Sequence, residues 1–101
     1  MNMQTVNLSA NDVLEHLNLW VPTNWTAEAG ELDIVCVNSP KVELGWIVTL
    51  NICPCKGYSF TVHGFVLDVE SGKDTEYDDE FLTYDEALNH IRNRFTQFIE
   101  V

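Results

Sequence analysis

Apolar and polar residues alternate through the middle of the chain, and the pattern outlines a sheet. Val42, Leu44, Trp46, Val48, Leu50 and Ile52 recur at every second position, which predicts one long strand with a single buried face. Leu32, Ile34 and Cys36 alternate before it, and Tyr58, Phe60 and Val62 after it. Beyond Val62 the phase slips, because Phe65, Leu67 and Val69 continue one residue late. A β-bulge at His63-Gly64 would absorb that shift. Keeping these positions on one face requires odd loop lengths in both hairpins. Ser39-Pro40-Lys41 then sets Cys36 across from Leu44, and the loop at residues 53–57 sets Ile52 across from Tyr58. Ser71-Gly72 predicts a turn, followed by a short edge strand over residues 77–82.

The pattern changes to a helical period at both ends. Ser9 followed by Asp12 predicts a helix N-terminus. Val13, Leu14, Leu17, Trp20 and Val21 then share a face until Pro22 stops the run. Residues 23–30 predict a loop, with Trp25 folded onto the edge of the core. Thr83 and Glu86 form a capping box, and Tyr84, Leu88, Ile91, Phe95, Phe98 and Ile99 make the stripe of a second helix. The expected fold is α+β: a single domain over residues 1–101, in the order α-β-β-β-(β)-α. Its antiparallel sheet has three to four strands, with both helices on one face. Double-stranded-RNA-binding domains share that bare order. Their second helix begins with lysines that grip phosphate, whereas this one begins with Tyr84, Asp85 and Glu86.

Charge narrows the function. Sixteen acidic residues against five basic ones give a formal net charge of −11, a field that repels nucleic-acid backbones and anionic membranes. Direct nucleic-acid and membrane binding are therefore not expected, and basic protein surfaces are the natural partners. With 46% hydrophobic residues the chain can build a core, so the charge does not signal disorder. Residues 1–11 lack a basic segment leading into an apolar one, and no apolar run reaches the roughly 18 residues of a membrane span. Three cysteines suit a reducing compartment better than a disulfide framework, and a cytoplasmic location is expected.

More than half of the acidic residues fall within residues 68–86, where Lys73 is the only basic residue. Asp74, Glu76, Asp78, Asp79 and Glu80 are the densest part and the expected partner-binding site. Asp85 and Glu86 suit a helix N-terminus, but three adjacent acids at 78–80 repel one another. Asp74, Glu76 and Asp78 alternate as calcium ligands can, yet the glycine and terminal glutamate of an EF-hand loop are out of register. A second candidate surface is the outer sheet face, where Val35, Val37 and Ile47 would form a patch for a homodimer or partner.

Cys53-Pro54-Cys55, Cys36 and His63 offer four zinc-ligand types. The expected register puts Cys36 across from Leu44, nine residues and roughly 30 Å from Cys53 at about 3.3 Å per residue. His63, across from Ile47, lies roughly 20 Å away by the same rise. Neither a metal site nor another cofactor is expected. No P-loop, nucleophile elbow or dinucleotide fingerprint is present, and no enzymatic role is expected. The favoured function is an acidic protein-binding module or inhibitor that occupies a basic surface of a partner protein, with a nucleic-acid-processing enzyme as one candidate partner. Anti-restriction, anti-CRISPR and immunity proteins of phages and plasmids offer a class analogy in size and charge. A self-associating assembly module is the alternative, and a metal-binding module comes third.

Overall fold

The clean two-residue period forms the central strand of the sheet in the computed structural model, which describes residues 4–99. In chain order the elements are β1 (Gln4–Asn7), α1 (Ala10–Leu17), β2 (Thr26–Ala29), β3 (Val35–Asn38), β4 (Val42–Cys53), β5 (Gly57–Asp68), β6 (Asp74–Phe81) and α2 (Tyr84–Ile99). The sheet runs β2-β3-β4-β5-β6, antiparallel throughout, and β1 lies beside the second half of β4. The fold is α+β with both helices on one face, as the pattern implies, but the sheet has six strands. The two extra strands, β1 and β2, are four-residue pieces held mainly by their backbone ladders. Most of their side chains are exposed, so no alternation reveals them. No helix among the described residues is long and apolar enough to cross a membrane.

The register of β3 differs from expectation by one residue. Cys36 pairs with Gly45 rather than Leu44. The Ser39 N–H donates to Val42 O at 2.9 Å, which leaves Pro40 and Lys41 as a two-residue turn. Ser39 Oγ accepts from the Lys41 and Val42 N–H groups at 3.3 and 3.2 Å and holds that turn. Because side chains alternate, a one-residue slip flips the whole strand. Val35 and Val37 are therefore core residues, 1% and 0% exposed, and cannot form the expected surface patch. Ile34 and Cys36 take the outer face instead, and of the expected patch only Ile47 remains there, half-buried.

β5 contains no bulge. It pairs with β4 residue for residue from Val42↔Asp68 to Cys53↔Gly57, with Ile52 opposite Tyr58 as expected. The slip in hydrophobic phase arises because Gly64 takes an inward position and Phe65 and Leu67 point outward. The space above Gly64 is filled by Tyr77, its partner on β6. Trp46, 1% exposed, donates from Nε1 to Tyr77 Oη at 2.7 Å. The indole is thus buried without an orphaned donor.

α1 ends at Leu17, earlier than its apolar stripe suggests, because Asn18 adopts the left-handed conformation at φ 46°. Trp20 consequently leaves the helical face and is 75% exposed. Arg92 of α2 closes that helix end, donating from Nε to Leu17 O (3.0 Å) and from Nη2 to His16 O (2.9 Å). α2 begins at the expected capping box: Glu86 N–H donates to Thr83 Oγ1 at 3.2 Å, and Thr83 Oγ1 to Glu86 Oε1 at 3.0 Å. Val13, Leu17, Ile91 and Phe95 from the helices meet Trp46, Val48 and Val62 from the sheet. Each such side chain contributes about 1.5–3 kcal/mol on burial.

Candidate functional site

The acidic segment is a single strand that begins three residues before the expected edge strand. β6 covers Asp74–Phe81 and lies at one end of the sheet order, so its far backbone edge is unpaired among the described residues. Alternation sorts its acids by face. Asp74, Glu76, Asp78 and Glu80 stand opposite Leu67, Phe65, His63 and Thr61 and share the outer face. Asp79 stands opposite the buried Val62, on the helix side, so it is separated from the other four expected site residues. The three adjacent acids at 78–80 therefore do not form one cluster.

Four cross-strand rows on the outer face end on a carboxylate of β6. One row runs Glu28, Cys36, Gly45, Phe65, Glu76; the next contains Ile47, His63 and Asp78. A third runs from Glu43 through Leu67 to Asp74, and a fourth from Thr49 through Thr61 to Glu80. No Lys or Arg lies on this face among the described residues. Lys41, Lys56 and Lys73 sit in the turns between strands, and Arg92 and Arg94 sit on α2. The face is half-buried and apolar around Gly45, with Glu28 on one side, the β6 carboxylates on the other, and the exposed Glu43 on β4 at one end.

His63 is the one basic-capable group in this field. Its Nδ1 bonds Asp78 Oδ1, and its Nε2 lies 3.4 Å from Glu76 Oε1. The hydrogen bond to Asp78 chiefly raises its pKa above the ordinary histidine value; burial opposes this and Glu76 adds to it. The Phe65 ring packs edge-on against the imidazole at 4.6 Å. The break in hydrophobic phase at His63-Gly64, expected as a bulge, marks instead the inward Gly64 under Tyr77, and His63 beside it faces outward onto Asp78.

Asp79 belongs to a different cluster. His90 Nε2 lies 3.2 Å from Asp79 Oδ2, outside hydrogen-bonding alignment, and the buried nitrogen has no other partner among the described residues. Burial lowers the His90 pKa, opposed by Asp79 and reinforced by Arg94. The Arg94 guanidinium stacks over the Tyr77 ring at 4.2 Å. These groups join α2 to β6.

The cysteines do not converge. Cys36 pairs with Gly45, eight residues and roughly 26 Å along β4 from Cys53 at about 3.3 Å per residue. Burial raises its thiol pKa, with Glu28 and Glu43 adding to the shift, so Cys36 is a poor thiolate. Among the described residues no three His, Cys, Asp or Glu side chains gather as a metal site. Between the starts of α1 and α2 lies a depression of about 300 Å³ holding Asp12, His16 and Tyr84. His16 Nδ1 is 3.1 Å from Tyr84 Oη, but burial and the Asp12 charge raise the phenol pKa, which does not make an activated base.

No family model matches this chain, and neither the curated proteins nor the solved structures provide a match.

Proposed function

We propose that the chain is a non-catalytic acidic binding protein that acts in the cytoplasm and occupies a basic surface of another protein. The observation that carries this reading is the column of Asp74, Glu76, Asp78 and Glu80 on one face of a free edge strand, on a sheet face without Lys or Arg. Successive carboxylates of the column are about 6.6 Å apart, two residues at about 3.3 Å. A strand holds them in place before a partner arrives, so little ordering entropy is lost on binding. The surrounding negative field speeds encounter with a positive surface. A protein surface that normally grips phosphates presents the matching Lys and Arg side chains. Covering it would inhibit a nucleic-acid-processing enzyme by competition.

Affinity capture from the native host followed by titration tests this. Changing Asp74, Glu76, Asp78 and Glu80 to Asn or Gln is expected to weaken the captured complex at least tenfold, mainly through slower association at low salt. The unmodified protein should also displace nucleic acid from its partner. Equal affinity for native and neutralised proteins would sink the reading.

A further inference from the structure

The carboxylate column borders an apolar area that the helices leave uncovered. Ile34 and Cys36 on the β3 side, Gly45 and Ile47 on β4, and Phe65 and Leu67 on β5 form its centre, each half-buried except the buried Gly45. Gly45 forms the floor: a Cβ there would lie 3.2 Å from both Ile34 Cγ2 and Phe65 Cδ2. A depression of about 270 Å³ opens over this glycine, with Asn38 and Glu43 at its polar end.

We infer that this trough seats an amphipathic helix of the partner, with its apolar stripe over Gly45 and Lys or Arg side chains along its flank on the β6 carboxylates. The inference rests on the reading of the chain as a binder of basic surfaces and specifies what that surface contains. Three dimensions support it. The apolar area spans two strand spacings, about 10 Å, close to the 10–12 Å diameter of a helix. Residues four apart on a helix rise about 6 Å, which matches the roughly 6.6 Å between successive carboxylates on β6. The column from Asp74 to Glu80 extends about 20 Å, or three to four helical turns.

Charge selects this occupant over a second copy of the chain. Face-to-face pairing of two copies would bring Glu28, Glu43 and the β6 column against the same groups, and neither outer face carries a Lys or Arg to meet them. A basic helix supplies both complements, apolar at the centre and cationic at the rim.

Three synthetic peptides of equal charge test the inference: a Leu/Lys helix with leucines on one face, a scrambled version of it, and a Ser/Lys peptide without apolar residues. The patterned helix should bind at least tenfold more tightly than the scramble, and amide shifts should concentrate at Gly45, Ile47 and Phe65. Ile47→Thr with Phe65→Thr should remove that preference while leaving Ser/Lys binding intact. Gly45→Ala, which fills the floor with one methyl group, should reduce it without removing apolar surface. Equal binding of patterned and scrambled peptides would overturn the inference and leave the acidic-binder reading standing. Shifts on the helix-covered side, or a free dimer in sedimentation that Phe65→Thr dissolves, would also overturn it. If none of the three peptides binds, both readings fall.

Discussion

Tyr77 fills the space that a side chain on Gly64 would need. The two residues are partners across β5 and β6, and a Cβ on the glycine would overlap the phenol ring. The ring is also held from two other sides, by Trp46 Nε1 at 2.7 Å and by the Arg94 guanidinium at 4.2 Å. An aromatic side chain covering a strand glycine fixes β6 against β5, and with it the position of every carboxylate on that strand.

Gly64→Ala is therefore expected to destabilise by about 1–3 kcal/mol, the range for overpacking a filled site. Tyr77→Phe should cost about 1 kcal/mol, since it keeps the ring and orphans the buried Trp46 N–H. Urea unfolding of both variants measures this. A neutral Gly64→Ala would mean that Tyr77 does not pack on β5.

The register of β3 can be checked at neighbouring residues. Val37→Ala removes apolar volume from a fully buried position and is expected to cost about 2 kcal/mol. Cys36→Ala, on the half-buried outer face, should cost less than about 1 kcal/mol. The reverse order of midpoints would restore the register in which Cys36 lines the core.

The two histidines should titrate on opposite sides of the usual value near 6.5. His63 is raised by its bond to Asp78 and by Glu76, so the stability it adds is fully present below about pH 6.5 and is lost as pH rises through its folded pKa. His90 is lowered by burial, so the stability linked to it is present above about pH 6.5 and is lost as pH falls through its folded pKa. NMR titration reads both values directly. His63→Gln should remove the loss on the alkaline side and His90→Gln the loss on the acid side. A His63 that titrates below His90 would contradict the ion-pair geometry of β6.

Arg92 should contribute more to stability than an exposed charge does. Its guanidinium donates to the His16 and Leu17 carbonyls at the end of α1 and to Asn89 Oδ1 at 2.7 Å. Arg92→Met keeps the aliphatic stem and is expected to cost about 1.5–3 kcal/mol, the range for charge-assisted bonds. Amide exchange should accelerate selectively in α1. Unchanged exchange there would show that the helix end is held by Asn18 alone.

Above the folded pKa of His63, where its bonds to Asp78 and Glu76 add no charge-linked stability, neutralising Asp74, Glu76, Asp78 and Glu80 together should leave the melting temperature unchanged or higher, because the mutual repulsion is relieved. The same charges keep the free edge of β6 from pairing with another strand, so the neutralised protein should self-associate more readily. Sedimentation and thermal melts together measure both effects. A loss of more than about 2 kcal/mol would mean the carboxylates hold the fold together rather than guard its edge.

Local chemistry was enough to write much of this molecule from its sequence. The long β4 alternation, the β4–β5 register from the hairpin turn as far as His63, and the Thr83–Glu86 cap all depend on neighbours in the chain, through period and turn geometry; the unbroken pairing beyond His63 does not. The acidic density of β6 was legible as composition, but its division between two faces was not. Asp79 turns to His90 and Asp78 to His63 because β6 pairs with β5 from end to end, and pairing is a property of two strands. The outer apolar trough was hidden for a related reason. Ser39 holds a two-residue turn that slips β3 by one position, sending Val35 and Val37 into the core and Ile34 to the surface. Periodicity states that alternate residues share a face; only the packed sheet decides which face meets the helices, because burying one set of side chains against Phe95 and Ile91 excludes the other.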